Sequence, residues 1–132
     1  MSLTLDVALD LINAAIQAGR ERGIPLAAAV LDIGGHVVAS ARSEQSGFIN
    51  LEAAQRKATT SVSFRAPTHA LLQMIKDDAV LLQSVIADSR LSVLPGGVPI
   101  MVDGALVGAL GVAGGHYQQD QAAAEAALGA LH

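Results

Sequence analysis

Between Thr4 and Arg22 the apolar residues Leu5, Ala8, Leu9, Ile12, Ala15, Ile16 and Ala18 recur at helical spacing, with Asp6, Asp10, Asn13, Gln17 and Arg20 on the other face. That pattern predicts an amphipathic helix. Thr4 can accept from the first free backbone N–H groups, Asp6 complements the positive end, and Arg20 and Arg22 complement the negative one. Gly23 ends the pattern and Pro25 prevents its continuation.

The period then changes. Ala27 to Leu31 is an unbroken apolar run, Asp32-Ile33-Gly34-Gly35 a turn, and His36-Val37-Val38-Ala39-Ser40 a second extended run, so a β-hairpin is expected. Strands this rich in alanine carry little side-chain volume, and the first helix is expected to pack on them. Beyond the polar loop Arg42-Ser43-Glu44-Gln45-Ser46-Gly47, a helix is predicted over Leu51–Phe64, capped by Asn50 or Ser46 and stopped by Pro67. Thr68 caps a further helical stretch from His69 to Lys76 in this reading, and Asp77 or Asp78 starts a third, short one reaching Ile86.

Leu91-Ser92-Val93-Leu94 reads as a strand, Val98 to Val102 as another and Ala105 to Val112 as a third. Asp103-Gly104 is a strong two-residue hairpin signal between the last two. Gly114-Gly115 breaks the run, and Gln118 to Leu131 is an alanine-rich helix with Asp120 and Glu125 in its acid-favoured half. Hairpins in place of βαβ crossovers predict an α+β fold: one antiparallel five-stranded sheet with flanking helices, in the order α-β-β-α-α-β-β-β-α with room for one more short helix. No internal repeat or linker divides the chain, so residues 1–132 are expected to form a single domain.

Composition changes this picture in one respect. Charged residues make up 15% of the chain, against a usual share of about a quarter, and apolar residues 52%, so apolar surface must be buried between subunits and a homo-oligomer is expected. The remaining counts exclude function classes. Eight Lys and Arg scattered singly in a chain of net charge −4, with one Tyr, two Phe and no Trp, offer neither a nucleic-acid footprint nor a base-stacking platform. The absence of cysteine excludes disulfides, thiolate metal ligands and a cysteine nucleophile. No uninterrupted apolar run has the length of a membrane span, and the N-terminus has no cationic region, so a cytoplasmic protein without membrane partners is expected.

Common catalytic signatures are missing: Gly108, Gly111 and Gly114 lack the dinucleotide spacing, and there is no phosphate-binding loop, G-x-S-x-G or H-E-x-x-H. What remains is a spaced set: Val30-Leu31-Asp32-x-Gly34-Gly35, Arg42, Lys57-Ala58-Thr59-Thr60, Phe64-x-x-Pro67-Thr68, Pro95-Gly96-Gly97-Val98-Pro99-Ile100, and Gly108-Ala-Leu-Gly111-Val-x-Gly114-Gly115-x-x-x-Gln119-Asp120. This set resembles the GlcG/HbpS-like family, also found as the C-terminal domain of PduO-type corrinoid adenosyltransferases. The resemblance implies a profilin-like α+β fold, assembly into dimers or larger rings, and a small-molecule pocket between the glycine segment and the Arg42 and Lys57 region. It implies haem binding in some members and, in others, a place beside catabolic enzymes. Two departures alter the wall of that pocket. Ser43-Glu44-Gln45-Ser46 follows Arg42 where the family usually has an Asp-Gly-Ala run, and Ala113 stands where serine is common.

The candidate ligand-binding residues are His36, Arg42, Lys57, Pro95, Gly96, Gly97, Val98 and His116. Haem, the candidate cofactor, needs an axial donor, for which His36, His69, His116, Met74, Met101 and Tyr117 qualify, with Arg42, Lys57 and Arg65 as propionate partners. The terminal His132 is expected to be solvated. An alternative is a cofactor-free lyase or isomerase acting on a small carboxylate or aromatic-pathway intermediate. Lys57 or His116 would be its general base, Arg42 would hold the carboxylate, and the Pro95–Val98 amides would face an oxyanion. Against both stand surface pairing of Arg42 and Lys57 with Glu44 and Glu52, and a purely structural assembly subunit. His116 and Asp120, at i and i+4, supply two metal ligands, too few for a site, so no metal is assigned.

Overall fold

In the computed structural model, which describes residues 2–131, helix α1 (Leu5–Arg20) leads into strands β1 (Ala27–Asp32) and β2 (Val37–Arg42). Helices α2 (Ile49–Phe64), α3 (Thr68–Ile75) and α4 (Ala79–Ala87) follow, then strands β3 (Gly97–Val102) and β4 (Ala105–Ala113) and helix α5 (Tyr117–Ala130). The four strands form one antiparallel sheet in the order β2-β1-β4-β3. The α+β class expected from the sequence is the class observed.

The sheet has four strands and not five. Leu91–Leu94 is irregular, and two of its backbone groups are taken by helix side chains: Ser92 N–H donates to Thr60 Oγ1 and Leu94 C=O accepts from Thr68 Oγ1. Pro95, lacking an N–H, and Gly96 then turn the chain into β3. The first helix is capped by Thr4, whose hydroxyl accepts from Val7 N–H. The caps expected for α2 are not used, since Ser46 Oγ accepts from the Asn50 amide and Phe48 stands at the N-cap without a side-chain bond. Thr68 is the first residue of α3, preceded by Pro67 at the cap, and its hydroxyl serves the Leu94–Gly97 backbone. Asp78 caps α4 as expected. Asp103 and Gly104, with φ of 53° and 78°, make the tight hairpin between β3 and β4.

Strand alternation divides the core. Ala28, Val30, Val98, Ile100, Leu110 and Val112 pack with Leu11, Ile12 and Ile16 of α1 and with the alanines of α5. Ala29, Leu31, Ala109 and Ala113 pack with Ala54, Ala58 and Val62 of α2 on the opposite face. The alanine-rich strands therefore carry helices on both faces. Small residues let α2 come down onto β4 so closely that a Cβ at Gly111 would enter the Ala54 carbonyl and lie 2.8 Å from Ala58 N. The register sets what lies at each end of the sheet. Ala27, Arg42, Ala113 and Gly97 fall at one end, and Asp32, Val37 and Gly108 at the other.

Candidate functional site

Lys57, in the middle of α2, is 2% exposed, although lysine is rarely buried unpaired. Close packing of α2 on β4 brings it under the end of the sheet. There its Nζ donates to Val112 C=O at 2.9 Å and to Asp120 Oδ2 at 2.8 Å. Asp120 lies in the first turn of α5, and its other oxygen accepts from Gly115 N–H at 2.9 Å. Burial lowers the Lys57 pKa from the usual lysine range, opposed by the Asp120 charge. Burial likewise raises the Asp120 pKa, opposed by Lys57 and the Gly115 bond. Each charge is costly alone and is held by the other.

The Pro95–Val98 segment backs this pair. Gly96 has a φ of 133°, and a Cβ there would lie 2.9 Å from Lys57 Nζ, so only glycine fits beside the ammonium. Gly97 N–H donates to Thr68 Oγ1 at 3.0 Å and Gly96 C=O accepts from Val112 N–H at 2.9 Å, while Val98 pairs with Leu110 in the sheet. The Gly97 amide expected to face an oxyanion is therefore spent on an internal bond. Pro95, Gly96, Gly97 and Val98 are buried behind Lys57 and are not part of the cavity wall.

On the outer side of the pair is a cavity of about 280 Å³ between α2, the Leu91–Leu94 segment and the Gly114-Gly115 turn. Its polar wall consists of Asn50, Arg56, Lys57, Ser92 and Asp120. Arg56 is half-buried, and its guanidinium has no hydrogen-bond or ion-pair partner among the described residues. Sequence reasoning missed Arg56 and chose Arg42 and Arg65. The signal was present, since Asn50, Ala53, Arg56 and Lys57 recur at the spacing of one helical face. The partnership of Lys57 with Asp120 had no local signal, the two being 63 residues apart.

The other candidates are dispersed. Arg42 Nη1 donates to Ser46 C=O at 2.9 Å and steadies the loop after β2; it is not one of the residues lining the cavity. Glu44 pairs with Arg20 at 3.4 Å and not with Arg42, and Lys57 pairs with Asp120 and not with Glu52. His116 is the N-cap of α5: its Nδ1 accepts from Gln118 N–H at 3.2 Å, and its ring lies against Tyr117, centroids 4.0 Å apart. Asp120 turns inward to Lys57, so His116 and Asp120 do not converge on a metal. His36 lies at the opposite end of the sheet in the β1–β2 turn, its side chain 82% exposed and its Nδ1 3.4 Å from Asp32 Oδ1. Met74 and Arg65 are exposed away from the cavity, and His69 is half-buried on α3 with a buried Nδ1 that has no partner. His132 falls outside the described residues.

A haem group fits this cavity poorly, because among the described residues no His, Met or Tyr stands on its wall to ligate the iron. The His116 nitrogen that accepts the cap bond carries no proton, which places the proton on Nε2 and makes that atom a donor, not a ligand.

The model of the family described as "Haem degrading protein HbpS-like" matches residues 3–129. A crystal structure of a double mutant of Streptomyces reticuli HbpS aligns with a TM-score of 0.89 and 32% identity, covering 100% of this chain and 88% of that one. The crystal structure of a PduOC:haem complex aligns with a TM-score of 0.89 and 27% identity, covering 98% of this chain and 95% of that one. The corrinoid adenosyltransferase PduO of Citrobacter freundii is 29% identical over 134 residues, an alignment covering 100% of this chain but only 40% of that protein's length.

Proposed function

The chain belongs to the HbpS-like family, and from that membership and the cavity beside Lys57 we propose that it is a small-molecule-binding protein whose pocket takes a small carboxylate metabolite. Arg56 carries this reading. Arg56 lines the cavity and its guanidinium has no acceptor among the described residues, while the other two charges on the wall, Lys57 and Asp120, neutralise each other. A guanidinium held free in a cleft is suited to bidentate recognition of an incoming carboxylate. Asn50 and Ser92 add neutral hydrogen-bonding groups, and Ala53, Leu91, Leu94 and Ala113 supply apolar wall. A volume of about 280 Å³ lies just below the usual range of ligand pockets, ~300 to ~1,000 Å³, and suits a compact acid. The test is a calorimetric titration with short mono- and dicarboxylates. If none binds, or if Arg56→Gln binds as well as the native chain, the reading fails.

Haem is a second reading, supported by the family description and by the haem complex of the PduOC neighbour. It belongs at a different place. Asp32 Oδ1 lies 3.4 Å from His36 Nδ1, the His36 side chain is 82% exposed, and Ile33 and Val37 are exposed in or beside the same turn. A carboxylate-oriented imidazole is the arrangement that suits iron ligation. A haemin titration followed by gel filtration tests it: a retained Soret band that is lost in His36→Ala and kept in His116→Ala is expected, and the reverse pattern sinks the assignment.

The chain is also proposed to be homo-oligomeric. Phe64, Met74, Val80, Leu81 and Ile86 are all exposed on or beside α3 and α4, and α4 buries no residue within the chain. Apolar area of that kind is normally covered.

A further inference from the structure

Lys57 and Arg56 reach the same cavity from successive positions of α2, but only Lys57 is neutralised. Both residues line one space of about 280 Å³. Resting on the carboxylate-pocket reading, we propose that Lys57 is a covalent nucleophile toward 2-oxo acids, forming an imine at the oxo carbon while Arg56 holds the adjoining carboxylate.

The geometry supplies what that step requires. A lysine becomes nucleophilic when desolvation disfavours its charged form and a base stands ready for its proton. Lys57 has a side chain 3% exposed, and Asp120 Oδ2 lies 2.8 Å from its Nζ. Asp120 is kept in that orientation by Gly115 N–H, which holds its other oxygen. Burial lowers the proton affinity of Lys57 and raises that of Asp120, so both shifts reduce the cost of moving the proton between them. The residues beside Lys57 are without bulk. Gly96 lies behind it, and Ala113, Gly114 and Gly115 line the cavity beside it. The substrate class follows from the two anchors, because a simple aldehyde offers nothing to Arg56 and a saturated acid offers no electrophile to Lys57.

The step balances without oxidant or metal. Asp120 takes one proton from the ammonium, and the Nζ lone pair attacks the oxo carbon as the carbonyl π bond breaks. The oxygen takes the proton back through Asp120, giving a carbinolamine. A second proton leaves Nζ through Asp120 for the hydroxyl, which departs as water while the C=N bond forms. The ammonium and the oxo acid thus become a protonated imine and one water. Such an imine acidifies the neighbouring carbon, which is the entry to aldol-type and decarboxylative chemistry.

The experiment is reductive trapping of the intact protein with pyruvate and cyanoborohydride, followed by intact-mass and peptide mapping. Lys57 and Lys76 are the only lysines of the chain, and the exposed Lys76 is an internal control. One carboxyethyl group is expected on the Lys57 peptide. It should form at least tenfold faster than on Lys76, saturate with pyruvate and be suppressed by excess propionate, which binds Arg56 but cannot form an imine. Lys57→Arg retains a cation for Asp120 and should bind propionate without labelling. Asp120→Asn should slow labelling more than it weakens propionate. If propionate binds in calorimetry while Lys57 labels no faster than Lys76, the imine proposal is overturned and the pocket reading stands. If propionate does not bind at all, both fall.

Discussion

Nζ of Lys57 and Oδ2 of Asp120 lie 2.8 Å apart with both side chains 3% exposed, tying the middle of α2 to the first turn of α5 beneath the end of β4. Because the Lys57 ammonium also donates to Val112 C=O, three elements meet at one nitrogen. Removing one partner strands a buried charge, which costs about 3–5 kcal/mol, whereas replacing both with apolar groups of similar volume is often far less damaging. Asp120→Leu should therefore lose about that much stability in urea unfolding, and Lys57→Met with Asp120→Leu should recover most of it. A double variant no better than Asp120→Leu alone would contradict this account.

Arg56 rather than Arg42 should determine ligand affinity. A hydrogen bond to a charged group contributes ~1.5–3 kcal/mol, so Arg56→Gln should weaken a bound carboxylate by roughly tenfold to a hundredfold. Arg42→Gln, which affects only the Ser46 carbonyl, should leave affinity unchanged. Calorimetry on the two variants decides between them, and equal losses would return Arg42 to the site.

Acid sensitivity should include a contribution from Asp88. Its side-chain and backbone bonds with Arg90 hold its pKa at about 2, below the usual 3.8. In the folded state the carboxylate therefore stays ionised in a window where the unfolded chain binds a proton. Stability from this group is present above pH 3.8 and is lost as pH falls toward about 2. Asp88→Asn should flatten that part of the pH–Tm profile, and added salt should shrink the difference, since the pair is exposed. A variant profile parallel to the native one across pH 2–4 would remove Asp88 from the acid transition.

Gly111→Ala tests the approach of α2 to β4. The added Cβ would enter the Ala54 carbonyl, a backbone atom that cannot rotate away, and overpacking of this kind costs ~1–3 kcal/mol. At Gly129 nothing lies within 4 Å of an added Cβ and the position is helical, so Gly129→Ala should stabilise by up to ~1 kcal/mol. Both values come from denaturant unfolding, and a neutral Gly111→Ala would mean that α2 can lift off the sheet.

If a second copy covers α4, Val80→Asp and Ile86→Asp should lower the mass seen by light scattering without unfolding the chain. These side chains are 79% and 72% exposed within one chain, so a charge there costs little in the monomer. An unchanged mass would place any interface elsewhere.

The periodicity of the chain fixed most of its elements because their signals are local. The apolar stripe and Thr4 defined α1, the Asp103-Gly104 pair defined the β3–β4 hairpin, and Asp78 defined the start of α4. Leu91–Leu94 misled because β-forming side chains describe what a segment could pair with. Its bonds to the rest of the fold include those to Thr60 and Thr68, which are distant in sequence. The Pro95-Gly96-Gly97 stretch was assigned to a ligand, whereas what approaches its backbone lies within the chain. That is Lys57, through its ammonium at Gly96 and its backbone at Gly97.

The same division holds for the site. Lys57 was identifiable by residue type and motif, while the choice among arginines required knowing which of them face one cavity. Arg42 and Arg56 have similar chemistry, yet one is occupied by a carbonyl and the other stands on the cavity wall with no acceptor among the described residues. His36 and His116 were equivalent as letters, but the sheet register puts His36 at the far end and the α5 cap engages Nδ1 of His116. The sequence by itself determined which elements form and which residues can ionise, since both depend on neighbours within a few positions. Only the tertiary structure decided which ionisable groups share a buried space, because burial and pairing of Lys57 and Asp120 depend on close packing between elements far apart along the chain.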